Sequence, residues 1–178
     1  MAFNGCPLRC RYCLNKPCWN PKEGKEYSPQ ALFDEVKIDQ LYFLATHGGV
    51  TFGGGEPLLQ PDFIKAFREL CGQSWRITVE TSLNVPFENL EALVPILDGY
   101  IVDIKELNPK VYKEYTGKDN ALAISNLEWL LQHVDADCIM VRVPHIPDFN
   151  TESDVAQSKE RLVAMGVKNM DEFTYLIR

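Results

Sequence analysis

Short continuous apolar runs alternate along the chain with segments in which apolar residues recur at helical spacing. Five runs have the length and composition of buried strands, at residues 50–52, 77–79, 100–104, 139–143 and 173–177. Residues 1–4 are a candidate sixth. Because the runs are continuous rather than alternating, they are typical of a parallel sheet covered by helices.

The segments between the runs carry helix signals. A helix is predicted after Ser28, a capping residue followed by proline. Further apolar faces predict helices over residues 64–71, 90–97 and 123–134. Pro95 should kink or shorten the second of these. Thr151 and Asp154 form a predicted capping box for a last helix that ends at Gly166.

Five or six repeats of strand then helix predict an α/β fold with parallel strands and right-handed crossovers. A closed eight-unit barrel needs about 250 residues, so the 178 residues of this chain hold roughly six units. The candidates are therefore an incomplete TIM-like (βα)6 barrel and an open doubly wound sheet. No repeat or linker interrupts the pattern, which predicts a single domain over residues 1–178.

Composition narrows the class of protein. An apolar fraction of 46% and a charged fraction of 24% exclude disordered, collagen-like and coiled-coil chains. No stretch approaches the roughly 18 apolar residues of a membrane span, and no leader pattern follows Met1. We therefore expect no membrane association and a cytoplasmic location. The net charge of -7 argues against nucleic acid as a main partner.

Charge and cysteine are both concentrated near the start of the chain. Residues 1–27 hold five cations and two anions, a net +3, so the remainder carries -10. Four of the six cysteines lie within thirteen positions: Cys6, Cys10, Cys13 and Cys18. A secreted disulfide scaffold would normally be smaller and denser in cysteine. Metal or redox chemistry is the better interpretation.

The first three of these cysteines have the spacing C-x3-C-x2-C. Three thiolates in one loop can hold three corners of a four-iron cluster, which leaves the fourth iron open to a substrate or cofactor. Nearby Arg9 and Arg11 would offset the charge of such an anionic centre. A structural zinc site that includes Cys18 is the alternative, although zinc sites usually pair two short knuckles across a longer loop. We expect Cys18 to pack beside Trp19 instead.

A second motif, Gly53-Gly54-Gly55-Glu56, follows the strand at 50–52. Glycines without side chains let a ligand approach the backbone closely. A phosphate loop is the rival interpretation, but no Gly-Lys-Ser/Thr follows. Ionisable residues also stand at or just beyond the ends of successive predicted strands: Glu56, Glu80, Asp103, Lys105 and Arg142. Ligands bind at that edge in both candidate folds.

The cysteine motif with its aromatic residue, Tyr12, and the Gly54-Gly55-Glu56 motif together resemble the radical S-adenosylmethionine (SAM) superfamily. The strings Asp103-Ile104-Lys105 and Tyr112-Lys113-Glu114-Tyr115-Thr116-Gly117 resemble its glycyl-radical-enzyme activases, such as pyruvate formate-lyase activating enzyme. The resemblance implies an incomplete (βα)6 barrel with one 4Fe-4S cluster. It also implies reductive cleavage of SAM to a 5'-deoxyadenosyl radical. In activases that radical takes a hydrogen atom from a glycine of a partner enzyme, and a flavodoxin or ferredoxin-type protein is the expected reductant.

The resemblance also assigns roles to residues. Cys6, Cys10 and Cys13 correspond to the iron ligands, and Tyr12 corresponds to the aromatic residue near the adenine. The remaining positions correspond to SAM contacts: Gly54, Gly55, Glu56, Glu80, Asp103, Lys105 and Arg142. No second run of cysteines is present, so we expect no auxiliary cluster.

The sequence departs from the activase pattern at Glu80-Thr81-Ser82-Leu83, where Leu83 stands in place of the family's glycine, so we expect the local loop to differ. The short chain also predicts a wide mouth that suits a bulky substrate loop. Two alternatives stay open at this point. One is a radical SAM enzyme that acts on a small molecule, as in the deazaguanine pathway, or on a peptide. The other is a non-enzymatic structural zinc or iron-sulfur binding module.

Overall fold

The computed structural model describes residues 1–175, which form six strands, seven α-helices and five short 3-10 turns. The strands are β1 (Ala2–Phe3), β2 (Gly49–Gly54), β3 (Arg76–Thr81), β4 (Gly99–Asp103), β5 (Ile139–His145) and β6 (Asn169–Thr174). The helices are α1 (Pro29–Val36), α2 (Gln40–Thr46), α3 (Pro61–Cys71), α4 (Phe87–Leu93), α5 (Pro109–Thr116), α6 (Ala121–His133) and α7 (Glu152–Met165). The 3-10 turns are Lys16–Trp19, Lys37–Asp39, Pro57–Leu59, Val94–Ile96 and Ala136–Cys138.

The six strands form one parallel sheet in the order β1-β2-β3-β4-β5-β6. This order decides between the two predicted folds. A doubly wound sheet reverses direction at a switch point and places its first strand in the middle, whereas here each strand pairs with the next one along the chain. The sheet stays open within the described residues, because β1 pairs only with β2 and β6 only with β5. The prediction of an incomplete TIM-like barrel is therefore confirmed.

Five of the six strands lie where the apolar runs predict them, and the last does not. The run at 173–177 predicts a strand that starts at Phe173, but β6 begins four residues earlier at Asn169. The end of that run, residues 176 and 177, lies outside the described residues. β6 is mostly polar and partly exposed because, among residues 1–175, it is an edge strand that pairs with β5 alone. Apolar continuity is a signal for strands buried on both sides, so it misses this one.

The predicted helix signals are confirmed in detail. The Ser28 hydroxyl accepts a hydrogen bond from the Ala31 amide at the start of α1, and α7 begins with the complete capping box of Thr151 and Asp154. α4 ends at Leu93, followed by a 3-10 turn that contains Pro95. Two helices, α2 and α5, were not predicted. No helix within residues 1–175 is both long and apolar enough to cross a membrane.

Most of the apolar core lies between the sheet and its helices. The fully buried side chains Phe52, Ile77 and Val102 from three adjacent strands belong to it. A second, smaller cluster contains Leu8, Cys10, Tyr115 and Ile146. This cluster brings the cysteine segment against the end of α5 and the loop after β5. It lies at the carboxyl end of the strands, where α/β proteins bind ligands.

The opposite, amino-terminal end of the sheet is held by Arg68 of α3. Its guanidinium is buried and forms an ion pair with Asp98. It also donates to the carbonyl oxygens of Gly72, Trp75 and Ile96 at 2.7–2.9 Å. The Arg68 side chain thus supplies hydrogen-bond donors to the backbone carbonyl oxygens just before β3 and β4. This is a structural site, remote from the cysteines.

We expect Arg68→Met to lower the free energy of unfolding by about 3 kcal/mol, because three carbonyl oxygens and the Asp98 carboxylate lose the guanidinium as their hydrogen-bond donor. The Asp98 side chain is 37% exposed, so water offsets part of the loss. Urea denaturation measures the change. Lys168→Met is the control, since the Lys168 side chain is 58% exposed and its ion pair is worth less than about 1 kcal/mol. Equal stabilities of the two variants would contradict the role given to Arg68.

Candidate metal and cofactor site

Three cysteines share one pocket at the carboxyl end of the sheet. Cys6, Cys10 and Cys13 all line this pocket, which has a volume of about 190 Å³. Cys18 does not line it. No three His, Cys, Asp or Glu side chains in residues 1–175 are gathered around a point that a single metal ion would occupy. Ligands of an iron-sulfur cluster bind separate irons, so they do not need to meet at one point.

The end of α5 fixes the position of the cysteine loop. The backbone amides of Arg9 and Arg11 donate to the carbonyl oxygens of Thr116 and Tyr115, at 2.9 and 3.1 Å. The last carbonyl groups of a helix have no partner within the helix, and here the loop supplies one. Tyr115 also packs in the cluster with Cys10. The string at 112–117, which resembles the activases, therefore has a structural role in placing the thiols.

The glycine run receives the other end of the cysteine loop. The amide of Gly55 donates to the Phe3 carbonyl and the amide of Glu56 to the Gly5 carbonyl, both at 2.8 Å. A side chain on Gly55 would collide with the backbone of Gly5, and one on Gly54 would lie 2.7 Å from the Ala2 side chain. These glycines are required for contact with the chain itself. Backbone approach by a ligand, the reason predicted from the sequence, stays a prediction.

Asp103 and Lys105 form a mostly buried ion pair in the pocket. Their side chains are 16% and 11% exposed, and the Lys105 ammonium also donates to the Tyr175 hydroxyl at 2.9 Å. Burial by itself lowers the pKa of Lys105, but the charge of the Asp103 carboxylate outweighs it and raises the pKa well above its usual value. One oxygen of Asp103, Oδ1, is buried and has no hydrogen-bond partner among residues 1–175. The pair thus places a permanent cation and a free acceptor beside the thiols.

Burial makes two of the pocket thiols, Cys6 and Cys10, weaker acids than a free thiol. Burial raises the pKa of Cys10 to about 11, although Lys105 opposes the shift. Burial also raises the pKa of Cys6. Metal ions bind thiolates, so binding must release these protons. The buried ammonium of Lys105 favours the resulting negative charge.

Lys105 has an unusual backbone. Its φ is +64°, and the amide of Glu106 closes a three-residue turn on the Ile104 carbonyl at 2.8 Å. Left-handed φ is uncommon for residues other than glycine. Such turns are strained and persist only where the surroundings impose them, often at functional sites. The turn directs the Lys105 side chain toward Asp103 and Tyr175.

Glu56 lines the pocket, but its carboxylate is already hydrogen-bonded to other residues of the chain. It accepts hydrogen bonds from the Thr81 and Ser82 hydroxyls, both at 2.7 Å, and from the Ser82 amide at 2.9 Å. The Leu58 amide is a fourth donor at 3.3 Å. Burial raises the pKa of Glu56, and these hydrogen bonds oppose the shift. Glu56 connects the glycine turn to the end of β3.

Glu80 and Arg142 form an ion pair across the inner face of the sheet, and Arg142 also lies 3.5 Å from Asp171 of β6. Both members of the pair line the pocket. Arg142 was predicted at or beyond the end of its strand, and this is wrong: it lies in the middle of β5, opposite Asp103. Its long side chain reaches the pocket from there. Arg142 therefore connects β3, β5 and β6.

Tyr12 does not line the pocket. Its hydroxyl donates to Asp148 at 3.0 Å, and its ring packs edge-on against Tyr115 and Phe149. It holds the cysteine segment against the loop after β5. The remaining site residues predicted from the sequence are brought together in one pocket.

The pocket also contains residues that the sequence reasoning missed: Leu8, Leu14, Asn15, Thr81, Ser82, Phe173 and Tyr175. Tyr175 is the most informative of these because it touches Lys105. It comes directly after β6, so the same strand-end rule that selected Asp103 would have selected it. The rule failed there because the start and end of β6 were misplaced.

The sequence departs from the family pattern at Leu83, and a difference in the conformation of the loop stays a prediction. Leu83 has φ +55°, a glycine-like conformation, although its side chain is completely buried. Its amide donates to the Thr81 hydroxyl at 3.0 Å, and its carbonyl accepts from Asn126 at 2.8 Å. These bonds hold the strained backbone in place. The loop thus keeps a left-handed residue where the family has glycine.

Two curated activating enzymes are similar to this chain in sequence. The chain is 35% identical over 149 residues to the (2S)-3-sulfopropanediol dehydratase activating enzyme of Klebsiella oxytoca, covering 80% of this chain and 46% of that protein. It is 38% identical over 135 residues to the pyruvate formate-lyase-activating enzyme of Listeria monocytogenes, covering 72% and 54%. The chain thus spans about half the length of the curated relatives it matches.

The fold agrees with solved structures of lower sequence similarity. Streptococcus suis SuiB bound to S-adenosylmethionine superposes with a TM-score of 0.68 at 12% identity, over 99% of this chain and 40% of that one. At this identity the likeness concerns the fold alone. The sequence model of the radical SAM superfamily matches residues 2–161, which is nearly the whole chain. The chain belongs to the radical SAM superfamily.

Proposed function

We propose that this chain is the cluster- and SAM-binding core of a glycyl-radical-enzyme activating enzyme. The observation that carries the proposal is the pocket itself, where three thiols of the C-x3-C-x2-C motif lie beside the buried pair of Asp103 and Lys105. The two curated relatives described above both activate other enzymes. Because both relatives are activating enzymes, they support an activase rather than an enzyme that acts on a small molecule.

Cys6, Cys10 and Cys13 would hold a 4Fe-4S cluster. Three thiols in one pocket supply the donor chemistry that such a cluster needs, with one iron left open. When bound with SAM, the cluster supplies the electron that cleaves the cofactor to the 5'-deoxyadenosyl radical. The ammonium of Lys105 offsets the negative charge of the thiolates.

The charged groups of the pocket would hold SAM. The free oxygen of Asp103 can accept from an ammonium or a hydroxyl group. Lys105 and Arg142 can each donate to a carboxylate, although Arg142 is paired with Glu80 in this structure. Glu80 becomes available for a cationic or hydroxyl group when that pair opens. We also include Gly54, Gly55 and Glu56 in the proposed site, because they line the pocket and connect the cysteine loop to the end of β3.

The remaining assignments extend the same proposal. The hydrogen atom comes from a glycine of a partner enzyme, and a flavodoxin or ferredoxin-type protein delivers the electron. All six cysteines are free thiols, which suits a reducing cytoplasm. Three cations of the cysteine segment, Arg9, Arg11 and Lys16, are exposed, and positive charge there would favour the approach of an acidic carrier.

Anaerobic reconstitution tests the proposal. Protein loaded with iron and sulfide, then given dithionite and SAM, should yield 5'-deoxyadenosine and about four irons per chain. About one zinc and no iron would support the structural metal module instead. A loaded sample that yields no 5'-deoxyadenosine contradicts the enzyme assignment. A glycyl radical signal in a candidate partner then separates an activase from an enzyme with a small-molecule or peptide substrate.

A further inference from the structure

Behind the pocket lies a buried carboxylate that the proposed function does not use. Glu106 follows Lys105 directly and is 2% exposed. Its oxygen Oε1 accepts from the Leu107 amide at 2.8 Å, the Asn108 amide at 3.0 Å and the Ser158 hydroxyl at 2.6 Å. Its oxygen Oε2 accepts from the Asn150 amide group at 2.9 Å. A buried carboxylate with four donors is a fixed point of the structure.

These donors come from three different parts of the chain. Leu107 and Asn108 belong to the loop between β4 and α5, and Ser158 belongs to α7. Asn150 belongs to the loop after β5, where it also donates to the Pro144 carbonyl at 3.0 Å and accepts from the Ile146 amide at 2.6 Å. Glu106 is therefore the junction between the loop that carries Lys105 and the loop that follows β5.

Both loops contact the proposed site. The first contains the strained turn that aims Lys105, and the Glu106 amide itself closes that turn. The second contains Asp148 and Phe149, which hold Tyr12 of the cysteine motif. A strained backbone conformation persists only where neighbouring groups hold it in place. Here the hydrogen bonds of the Glu106 carboxylate, which lies outside the pocket lining, hold the residues that follow the turn.

We infer that Glu106 is a positioning residue: its carboxylate holds Lys105 in the left-handed turn and locks the loop after β5 against the cysteine segment. Glu106 does not line the pocket, so it acts through Lys105 and Tyr12 rather than by contact with a ligand. The effect on SAM binding rests on the proposed function. The effect on the two loops does not.

Glu106→Gln tests this inference with little change of shape. Oε1 accepts three hydrogen bonds, so the new amide nitrogen must face the Asn150 amide group, and two donors then oppose each other. In the metal-free chain, we expect the amides of Leu107, Asn108 and Ile146 to exchange with solvent at least about tenfold faster. In the reconstituted protein, we expect SAM to bind about tenfold more weakly.

Two further variants separate positioning from general damage. Glu106→Gln combined with Asn150→Asp moves the carboxylate to the other side of the contact and restores a donor and an acceptor there. Because the new oxygen then faces the Pro144 carbonyl, we expect partial recovery of the exchange rates at Leu107 and Asn108. Arg68→Met lowers the stability from the opposite end of the sheet and should leave SAM affinity unchanged. If Glu106→Gln does not fold, Ser158→Ala removes one donor and should shift the same amides in the same direction.

The outcomes are distinct. Unchanged exchange at Leu107, Asn108 and Ile146 in Glu106→Gln overturns the inference, whatever the loaded protein does. An equal loss of SAM affinity in Arg68→Met also overturns it, because the effect is then one of stability. If the unaltered chain binds no SAM after reconstitution, the proposed function fails while the amide exchange still decides the role of Glu106.

Discussion

Cys13→Ala should abolish SAM cleavage and remove the iron-sulfur cluster. Cys13 lines the pocket with Cys6 and Cys10, and two thiols cannot replace three in a cluster that keeps one open iron. After anaerobic reconstitution, we expect 5'-deoxyadenosine to fall to the level of a protein-free blank. Iron analysis and the electron paramagnetic resonance spectrum of the reduced protein measure the cluster directly.

Cys18→Ala is the matched control. Cys18 belongs to the same cysteine-rich segment, but it lies in the 3-10 turn Lys16–Trp19 and outside the pocket. This variant should keep its iron content and its activity. Loss of iron in Cys18→Ala, with retention in Cys13→Ala, would show that the ligand set has been assigned wrongly.

Lys105→Met should weaken both the fold and the cofactor site. It leaves the Asp103 carboxylate in the pocket without its partner, and breaking a buried ion pair in this way costs about 3 to 5 kcal/mol. It also removes a charged donor, so we expect SAM to bind at least about tenfold more weakly. Urea denaturation measures the first effect, and calorimetric titration of the reconstituted protein measures the second.

A double variant separates these two effects. Asp103→Asn together with Lys105→Met removes both charges, so no lone carboxylate is left and most of the lost stability should return. SAM affinity should stay at least about tenfold lower, as in Lys105→Met. Lys110→Met, at the exposed start of α5, should change neither quantity. Recovery of full SAM affinity in the double variant would remove Asp103 and Lys105 from the cofactor site.

The buried parts of the fold could be predicted because burial leaves a pattern in the sequence. β2 to β5 coincide with continuous apolar runs. The prediction of β6 failed because, in the part of the chain that the structure describes, one side of β6 has no neighbouring strand and its residues are partly exposed. Helix α5 was missed although Asn108 caps its start and Gly117 ends it with φ +77°. Its eight residues are too few for apolar periodicity to stand out.

The site was predictable where residue type and strand position coincide, as for the cysteines, Asp103 and Lys105. The site was less predictable where a side chain reaches the pocket from elsewhere in the fold or supports it from outside. Arg142 reaches the pocket from the middle of its strand, and Tyr12 acts from outside the pocket. The role of Glu106 depends on donors 44 and 52 residues away in sequence. No local pattern encodes contacts of that range.

The sequential strand order has a consequence for how the protein is made. Each strand pairs with the one synthesised before it, so the sheet can grow as the chain emerges. The thiols are made first, yet Lys105 belongs to the fourth unit and Tyr175 follows the last strand. Until those residues arrive, Cys10 lacks both its buried surroundings and its neighbouring cation. Nascent chains therefore carry unprotected thiols, which oxygen and peroxides attack most readily before the sheet is complete.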